Sequence, residues 1–234
     1  MFNPMAGNLA LARGLSRVQL QFANIQDPVQ KSLMAEKCIL VDDADNVVGS
    51  ESKLDCHSVT PDGSIKLHRA FSAFLFNSKG ELLMQQRSEH KVTFPYLWTN
   101  TCCSHPLFED GETEGIDGVK RAATRRIEYE LGITDLEPED FNYLTRIHYF
   151  ALSDDKWGEH EIDYILFAQK DVDLNINENE ISSVKYVSLD EVQNMNHRNF
   201  TPWFKLILET KLPIWWKSID RLQSFRDHTV IHRL

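Results

Sequence analysis

The order of apolar and polar residues along the chain predicts five strands. The first two are joined by a turn at Asn77 to Gly80, and the fourth contains a strongly apolar run. The stretches are HRAFSAFLFN (68–77), GELLMQQR (80–87), NYLTRIHYF (142–150), EHEIDYILFAQ (159–169) and VKYVS (184–188). Two of the connections are as short as hairpins, which join antiparallel strands. We therefore expect a sheet of mixed strand direction.

Helical periodicity appears in the segments between and after these strands. Residues 115–131 predict a helix that ends at Gly132, because glycine readily adopts the left-handed conformation that follows a helix. One face of this helix carries Val119, Ala123, Ile127 and Leu131. A second helix begins in SLDEVQNM, where Ser188 is a suitable N-cap. Strands interleaved with helices indicate a single α/β domain.

The C-terminal part of the chain is predicted to be helical from Thr201–Pro202 to its end. Its apolar positions form one stripe, made of Trp203, Phe204, Ile207 and Leu208. Trp203 opens this stripe, so packing in an ordinary core is one interpretation of it.

Composition and charge restrict the function. A chain of 234 residues is long enough for a sizeable core, and its net charge of −10 argues against a nucleic-acid partner. A few local cations could still attract a small anion. No apolar run approaches the roughly 18 residues that suggest a membrane span. Four cysteines are too few for a disulfide framework, which indicates a reducing compartment.

Five side chains are candidate metal ligands. They are His57, His68, His105, Glu159 and Glu161. The two glutamates are two positions apart in a predicted strand, so their carboxylates project from the same face. Three imidazoles and two carboxylates suit a divalent ion such as Mn²⁺ or Zn²⁺, with Mg²⁺ as a further candidate. Each residue taken singly fits an ordinary surface or hydrogen-bonded role, and the spacing alone does not bring the five together.

The stretch NTCCSHP (100–106) contains two adjacent cysteines and a histidine. The two thiols could form a disulfide or pack in the core, or one of them could be reactive. Together with His105 they could also bind zinc, which leaves Cys102 and Cys103 with several possible roles. A metal-binding module built on these residues has little support, since the thiols lack the CxxC partner pair of structural zinc sites.

The segment GVKRAATRRIEYELGI (118–133) resembles a Nudix box, a helix whose glutamates bind the Mg²⁺ of a nucleoside diphosphate. Arg126 and Tyr129 stand where the hydrolase pattern has glutamates, and Glu130 is the one matching carboxylate. Together with TNTCCSHP, WGEHEID (157–163) and TPW (201–203), the chain from about residue 30 onward resembles type I isopentenyl-diphosphate delta-isomerases. The resemblance implies a Nudix-like α/β/α sandwich with a mixed central sheet and extra C-terminal helices. It divides the chain into a leader, 1–30, and one isomerase domain, 31–234.

The resemblance also implies a role for each candidate residue. The five candidate ligands match the metal ligands of the family. Cys103 matches the catalytic cysteine, Glu161 the catalytic glutamate and Tyr149 the tyrosine beside it, whereas Trp203 matches an aromatic residue that faces the reacting carbons. The matches for substrate binding are Lys53, Arg87, Lys91 and Ser104. Glu130 matches a carboxylate that binds Mg²⁺ at the diphosphate. Cys102 is then expected to be a small buried neighbour.

The reaction that the resemblance implies converts isopentenyl diphosphate to dimethylallyl diphosphate in isoprenoid and sterol-precursor biosynthesis. Moving the double bond by protonation and deprotonation passes through a tertiary carbocation, so two acid–base groups must flank the substrate. An indole face can stabilise the cation by about 1–2 kcal/mol. A Nudix-type diphosphate hydrolase is the alternative enzyme, and a metal-binding module built on Cys102, Cys103 and His105 is the non-enzymatic one. Relatives of this type suggest a monomer.

The two ends of the chain predict different cellular addresses. The first 26 residues contain Arg13 and Arg17 but no acidic residue, as in a transit peptide or a disordered leader. The last three residues, HRL, form a relaxed version of the SKL-type peroxisomal signal. Relatives of this type often end in a similar tripeptide. We therefore expect a peroxisomal and cytosolic protein that uses a peroxisomal import receptor, with mitochondria as the alternative.

Overall fold

The computed structural model describes residues 17–234, with side chains from residue 21 onward, so residues 1–16 of the predicted leader lie outside the described residues. Two short helices open the described part, α1 (Arg17–Asn24) and α2 (Pro28–Leu33). Asp27 caps α2 by accepting hydrogen bonds from the backbone N–H groups of Val29 and Gln30.

Ten strands and five further helices make up the rest of the described chain. The strands are β1 (Lys37–Val41), β2 (Val47–Ser52), β3 (His68–Phe76), β4 (Leu82–Arg87), β5 (Trp98–Thr99), β6 (Cys102–Ser104), β7 (Asn142–Leu152), β8 (Gly158–Gln169), β9 (Ile181–Val187) and β10 (Ile231–Arg233). The helices are α3 (Lys53–His57), α4 (Gly115–Leu131), α5 (Leu189–Asn194), α6 (Pro202–Thr210) and α7 (Leu212–Trp216), with 3₁₀ turns at Pro138–Asp140, His197–Asn199 and Ile219–Phe225.

The ten strands form a single mixed sheet, in which six follow the order β10-β7-β8-β3-β1-β2. Strands β4 and β6 pair with β3, and β5 and β9 pair with β4. Strands β3 and β8 are parallel and place His68 opposite Glu161, while β7 and β8 are antiparallel and place Tyr149 opposite Glu161. Strand β6 pairs with β3 so that Cys103 lies opposite Ser72. The register of four strands therefore brings the candidate residues to one region of the sheet.

Helices cover both faces of the sheet, each over its own apolar cluster. Helix α4 packs on one face through Val119, Ala123, Ile127 and Leu131, all fully buried. The C-terminal helices α6 and α7 pack on the other face, where Phe204, Ile207 and Leu208 belong to the cluster. This arrangement is the predicted α/β/α sandwich.

Most elements predicted from periodicity are confirmed. The five strands occur within a few residues of their predicted bounds, and the mixed direction is observed. Helix α4 ends as predicted, with Gly132 at φ 68° and its N–H bonded to the carbonyl of Glu128. Ser188 caps α5 and forms a capping box with Glu191.

The prediction of a helix from Pro202 to the chain end is wrong. Lys211, at φ −129° and ψ −44°, interrupts the helix, and Pro213 lies in the first turn of α7, where its missing N–H is tolerated. Beyond the last 3₁₀ turn, Asp227 accepts hydrogen bonds from the N–H groups of Thr229 and Val230. That turn leads into β10, which pairs in parallel with β7.

Candidate active site

Three buried imidazoles surround one carboxylate oxygen of Glu161. His105 Nε2 lies 2.9 Å from Glu161 Oε1, His68 Nε2 lies 3.3 Å from it and His57 Nε2 lies 3.9 Å from it. The histidines come from different elements, since His57 ends α3, His68 begins β3 and His105 follows β6. The potential ligand atoms of these four residues all lie within 4.8 Å of one another. Four of the five ligands that the family resemblance implies thus lie together in the structure.

The donor set of this cluster fits a divalent metal ion. The Nδ1 atoms of His57 and His68 each lie 2.8 Å from a backbone carbonyl, which fixes the ring and leaves Nε2 free to coordinate. The Nε2 atoms of all three rings face Glu161 Oε1, so an ion among them would meet imidazole nitrogens and a carboxylate oxygen. Imidazole nitrogens with a carboxylate oxygen suit Zn²⁺, Mn²⁺ and related ions.

Burial and close contact shift the pKa values of the cluster. Burial lowers the pKa of His105 to about 3 and holds that of His57 well below its usual value, so both rings are neutral and can coordinate metal. Burial also acts to lower the pKa of His68, but the hydrogen bond and charge of Glu161 outweigh it and raise this pKa to about 9. Hydrogen bonds and charges from His105 and His68 outweigh the burial of Glu161 and hold its pKa well below its usual value.

A hydroxyl links the two glutamates predicted as ligands. Tyr149 Oη lies 2.6 Å from Glu161 Oε2 and 2.8 Å from Glu159 Oε2. One hydroxyl hydrogen cannot satisfy both contacts, so a second proton or a cation must be shared among the three groups. Burial and the charge of Glu161 raise the pKa of Glu159 to about 7. Glu159 also accepts a hydrogen bond from Thr93 Oγ1, and it lies outside the four-residue group.

The adjacent cysteines have different surroundings. Cys103 lines a cleft with the imidazole cluster, and its Sγ lies 2.8 Å from Trp203 Nε1 and 3.3 Å from Ser72 Oγ. Cys102 is fully buried, and its thiol points to Glu130 at 3.5 Å. Both thiols are free, and burial raises the pKa of each. Alternation along β6 thus turns one thiol to the cleft and the other to the core.

Trp203 combines core packing with a polar contact in the cleft. It is 2% exposed, and its ring packs edge-on against Phe94 and near Tyr149. The guanidinium carbon of Arg87 lies 5.5 Å from the ring centroid. The indole N–H of Trp203 donates to Cys103 Sγ, a contact that sequence reasoning did not anticipate. Both interpretations of Trp203, core residue and cleft residue, therefore apply to the same ring.

Cations collect at one side of the cleft. Lys53, Arg87 and Lys91 all line it. Burial lowers the pKa of Lys91, and the charges of Arg87 and Lys53 add to this effect, whereas Glu180 opposes it. The mutual repulsion of these groups would be relieved by a polyanion. The amine of Lys91 forms a buried ion pair with Glu180.

Glu130 lies in a buried ionic network beside these cations. It accepts hydrogen bonds from Arg126 at 2.6 Å and from Gln85 at 3.0 Å, and it is 3% exposed. Arg126, which replaces a glutamate of the Nudix pattern, also lies 3.3 Å from Glu180. The guanidinium thus occupies space beside Glu130 where the hydrolase pattern would place a second carboxylate.

The structure brings most of the predicted site residues into one cleft. Its lining includes Lys53, His57, Arg87, Lys91, Cys103, Ser104, His105, Tyr149, Glu159, Glu161 and Trp203. His68 belongs to the same site through the imidazole cluster, whereas Glu130 reaches it through the ionic network.

Several polar residues near the reactive groups were missed by sequence reasoning. Ser72 and Asp163 form a buried hydrogen bond of 2.7 Å beside Cys103. Thr93 donates a hydrogen bond to Glu159, and Asn100 accepts one from Cys103. Ser72 and Asp163 each interrupt an otherwise apolar strand, AFSAFLF or EIDYILF, and that interruption was the available signal.

Comparisons with known proteins identify the family and support the fold. The NUDIX domain family matches residues 66–204. A crystal structure of the Deinococcus radiodurans protein DR0079 superimposes with a TM-score of 0.51 at 20% identity, covering 74% of this chain and 98% of that one, which supports the fold. The chain therefore belongs to the NUDIX-domain proteins.

Curated relatives identify the branch of that class. Isopentenyl-diphosphate Delta-isomerase 1 of Mesocricetus auratus is 50% identical over 218 residues, and the enzyme of Bos taurus is 51% identical over 218 residues. Each alignment covers 89% of this chain and 96% of the relative. The isopentenyl-diphosphate delta-isomerase of Schizosaccharomyces pombe is 49% identical over 88% of this chain and 94% of its own. This chain belongs to the isopentenyl-diphosphate delta-isomerase family.

Proposed function

We propose that this protein converts isopentenyl diphosphate to dimethylallyl diphosphate by moving the double bond through protonation and deprotonation. The observation that carries the proposal is the shared cleft, in which the Cys103 thiol and the Tyr149–Glu161 pair face a common space beside a group of cations. Two proton-carrying groups on different strands can serve two faces of one alkene.

Cys103 and Glu161 are the proposed acid–base residues. Tyr149 fixes the second oxygen of Glu161 with a hydrogen bond and can pass a proton to or from it. Cys103 lies on β6, and the sulfur is held by the indole N–H of Trp203. Trp203 and Phe94 are buried apolar rings, which keep water away from a carbocation that water would trap as an alcohol.

The imidazole cluster is the proposed site of a divalent ion. His57, His68, His105 and Glu161 would hold it, with Glu159 as a further ligand through its neighbouring carboxylate. When bound, the ion supplies positive charge that fixes Glu161 and shifts its proton affinity. Mg²⁺, Mn²⁺ and Zn²⁺ are the candidates at this site.

The diphosphate is proposed to bind beside the cations. Lys53, Arg87 and Lys91 supply positive charge, and Ser104 supplies a hydroxyl. Glu130 is the proposed ligand of a Mg²⁺ ion at the diphosphate, as the resemblance implies. Glu130 also forms a buried ion pair with Arg126.

The test of the proposal is turnover of isopentenyl diphosphate by the full chain with divalent metal, followed by chelation. We expect dimethylallyl diphosphate without inorganic phosphate, loss of activity on chelation and recovery when metal is restored. Release of inorganic phosphate from isoprenoid or nucleoside diphosphates would instead support the hydrolase alternative. That alternative is disfavoured by Arg126 and Tyr129, which replace carboxylates that a hydrolase uses for metal.

We also propose that the protein works in peroxisomes and cytosol, through an import receptor that binds the sequence HRL. In the structure, Ile231–Arg233 pairs with β7, so receptor binding requires these residues to leave the sheet edge. No helix among residues 17–234 is both long and apolar enough to cross a membrane. Deleting Arg233 and Leu234 should leave a fluorescently tagged protein cytosolic, and import into mitochondria that depends on residues 1–26 would overturn the assignment.

A further inference from the structure

The polar surroundings of the Cys103 thiol converge on one carboxamide. Asn100 Oδ1 accepts a hydrogen bond from Cys103 Sγ at 2.9 Å and another from Trp203 Nε1 at 3.2 Å. It also accepts one from the hydroxyl of Thr99 at 2.9 Å. A single oxygen therefore contacts both the proposed acid–base thiol and the indole that borders the cleft.

The orientation of this carboxamide is fixed by its other end. Asn100 Nδ2 donates to the carbonyl of Ala73 at 2.9 Å and to the carbonyl of Cys102 at 3.2 Å. A flipped amide would place its oxygen against both carbonyls, so only one orientation satisfies the site. Asn100 has no exposed surface and is tied to β3 and β6, the strand pair that carries Ser72 and Cys103.

We propose that Asn100 is a positioning residue for the isomerisation, holding Cys103 Sγ and the indole N–H of Trp203 at fixed positions through one oxygen. This proposal rests on the proposed function, since it concerns the geometry of that reaction. The side chain contacts none of Lys53, Arg87 and Lys91 by hydrogen bonds, so it acts on the reacting end of the substrate rather than on its diphosphate.

Thr101 provides a matched control one residue away. Its hydroxyl is fully buried and joins two strands, accepting from the N–H of Leu75 at 2.8 Å and donating to the carbonyl of Leu83 at 2.6 Å. Thr101→Val thus removes a buried hydroxyl with two backbone partners without touching Cys103. Its cost in stability should resemble that of changing Asn100.

The experiment compares Asn100→Ala, Asn100→Ser and Thr101→Val with the wild type in kcat, KM and thermal stability. We expect kcat to fall about 100-fold in both Asn100 variants with KM within about twofold, because a misplacement near 1 Å costs that much. Asn100→Ser retains a small polar side chain that cannot reach the sulfur, so it tests the proposal if Asn100→Ala fails to fold. Thr101→Val should lose stability but keep kcat.

A double-mutant cycle with Trp203→Phe separates positioning from general destabilisation. Trp203→Phe lacks the N–H that Asn100 holds, so the effect of Asn100→Ser on kcat should shrink in that background, whereas Thr101→Val should act independently. The proposal would be overturned if Asn100→Ser lowered kcat no more than Thr101→Val does. It would also be overturned if Asn100→Ser lowered kcat by the same factor with and without Trp203→Phe. An inactive wild type would instead refute the proposed function.

Discussion

At the scale of single residues, the two adjacent cysteines have separate roles because a strand turns neighbouring side chains to opposite sides. Cys103→Ala should lower kcat by at least about 10³-fold, as expected when a general acid or base is removed. Cys102→Ala removes a thiol that contacts Glu130 in the core, so it should retain most of the turnover. Steady-state kinetics of both variants measure this, and equal losses would show that the assignment of roles is wrong.

Trp203 has two separable contributions, its ring face and its N–H. A cation-facing ring predicts that kcat falls in the order Trp, Tyr, Phe, Leu, following ring electron density rather than volume. The N–H bond to Cys103 adds a further loss on going from Trp to any of the others. Kinetics of the three variants, with thermal melting as a check on folding, measure both effects. A folded Trp203→Leu protein with near-wild-type kcat would exclude any role in the reaction.

At the scale of elements, helix α4 carries a carboxylate whose proposed role is metal binding at the diphosphate. Glu130→Gln should raise the Mg²⁺ concentration needed for half-maximal activity by about tenfold or more, because a charged ligand is lost. Glu180→Gln is the matched control, since Glu180 is the other carboxylate partner of Arg126. Titration of activity with Mg²⁺ distinguishes the two. An unchanged Mg²⁺ requirement in Glu130→Gln would show that Glu130 does not bind a Mg²⁺ ion at the diphosphate.

Glu180, in the turn before β9, forms an ion pair with Lys91 of the cleft. The stability that this ion pair contributes should depend on pH. Burial raises the pKa of Glu180, but its ion pairs with Lys91 and Arg126 outweigh burial and lower it. A lowered folded-state pKa contributes stability that is complete above the unfolded value, about 4.3, and is lost as pH falls toward the folded value.

Glu180→Gln should therefore flatten the acid dependence of stability. Between about pH 5 and about pH 3, the free energy of unfolding should fall less steeply in this variant than in the wild type. Urea unfolding at several pH values measures the slopes, and Glu178→Gln, an exposed change in the same turn, should keep the wild-type slope. Equal slopes for all three proteins would show that Glu180 contributes no pH-dependent stability.

The sequence predicted elements where periodicity is long and regular. Helix α4 has 17 residues with a regular apolar face, and strand β8 has 12 residues with a long apolar run. Strands β5 and β6 have only two and three residues, too few for any pattern, and β10 follows a helical region whose apolar stripe suggested more helix. The convergence of His57, His68 and His105 depends on strand register, so spacing could not predict it and family resemblance did.

At the scale of the whole molecule, strand pairing in the sheet brings the site residues together. Strands β3, β6, β7 and β8 bring Cys103, Tyr149, Glu159 and Glu161 to one cleft, and helices on both faces bury the strands that hold them. The hydrolase pattern is altered on α4, where Arg126 neutralises two carboxylates. We propose that the fold, with this altered helix, leaves the diphosphate intact while protons move to and from carbon.

Turnover in D₂O shows whether protons move to and from carbon while the diphosphate stays intact. Isopentenyl diphosphate is incubated with the metal-loaded protein, and the products are analysed by NMR and mass spectrometry, with Cys103→Ala as the control. The account predicts dimethylallyl diphosphate that carries deuterium in a methyl group, no inorganic phosphate, and no product from the variant. Inorganic phosphate released equally by the wild type and by Cys103→Ala, without deuterated isomer, would contradict it.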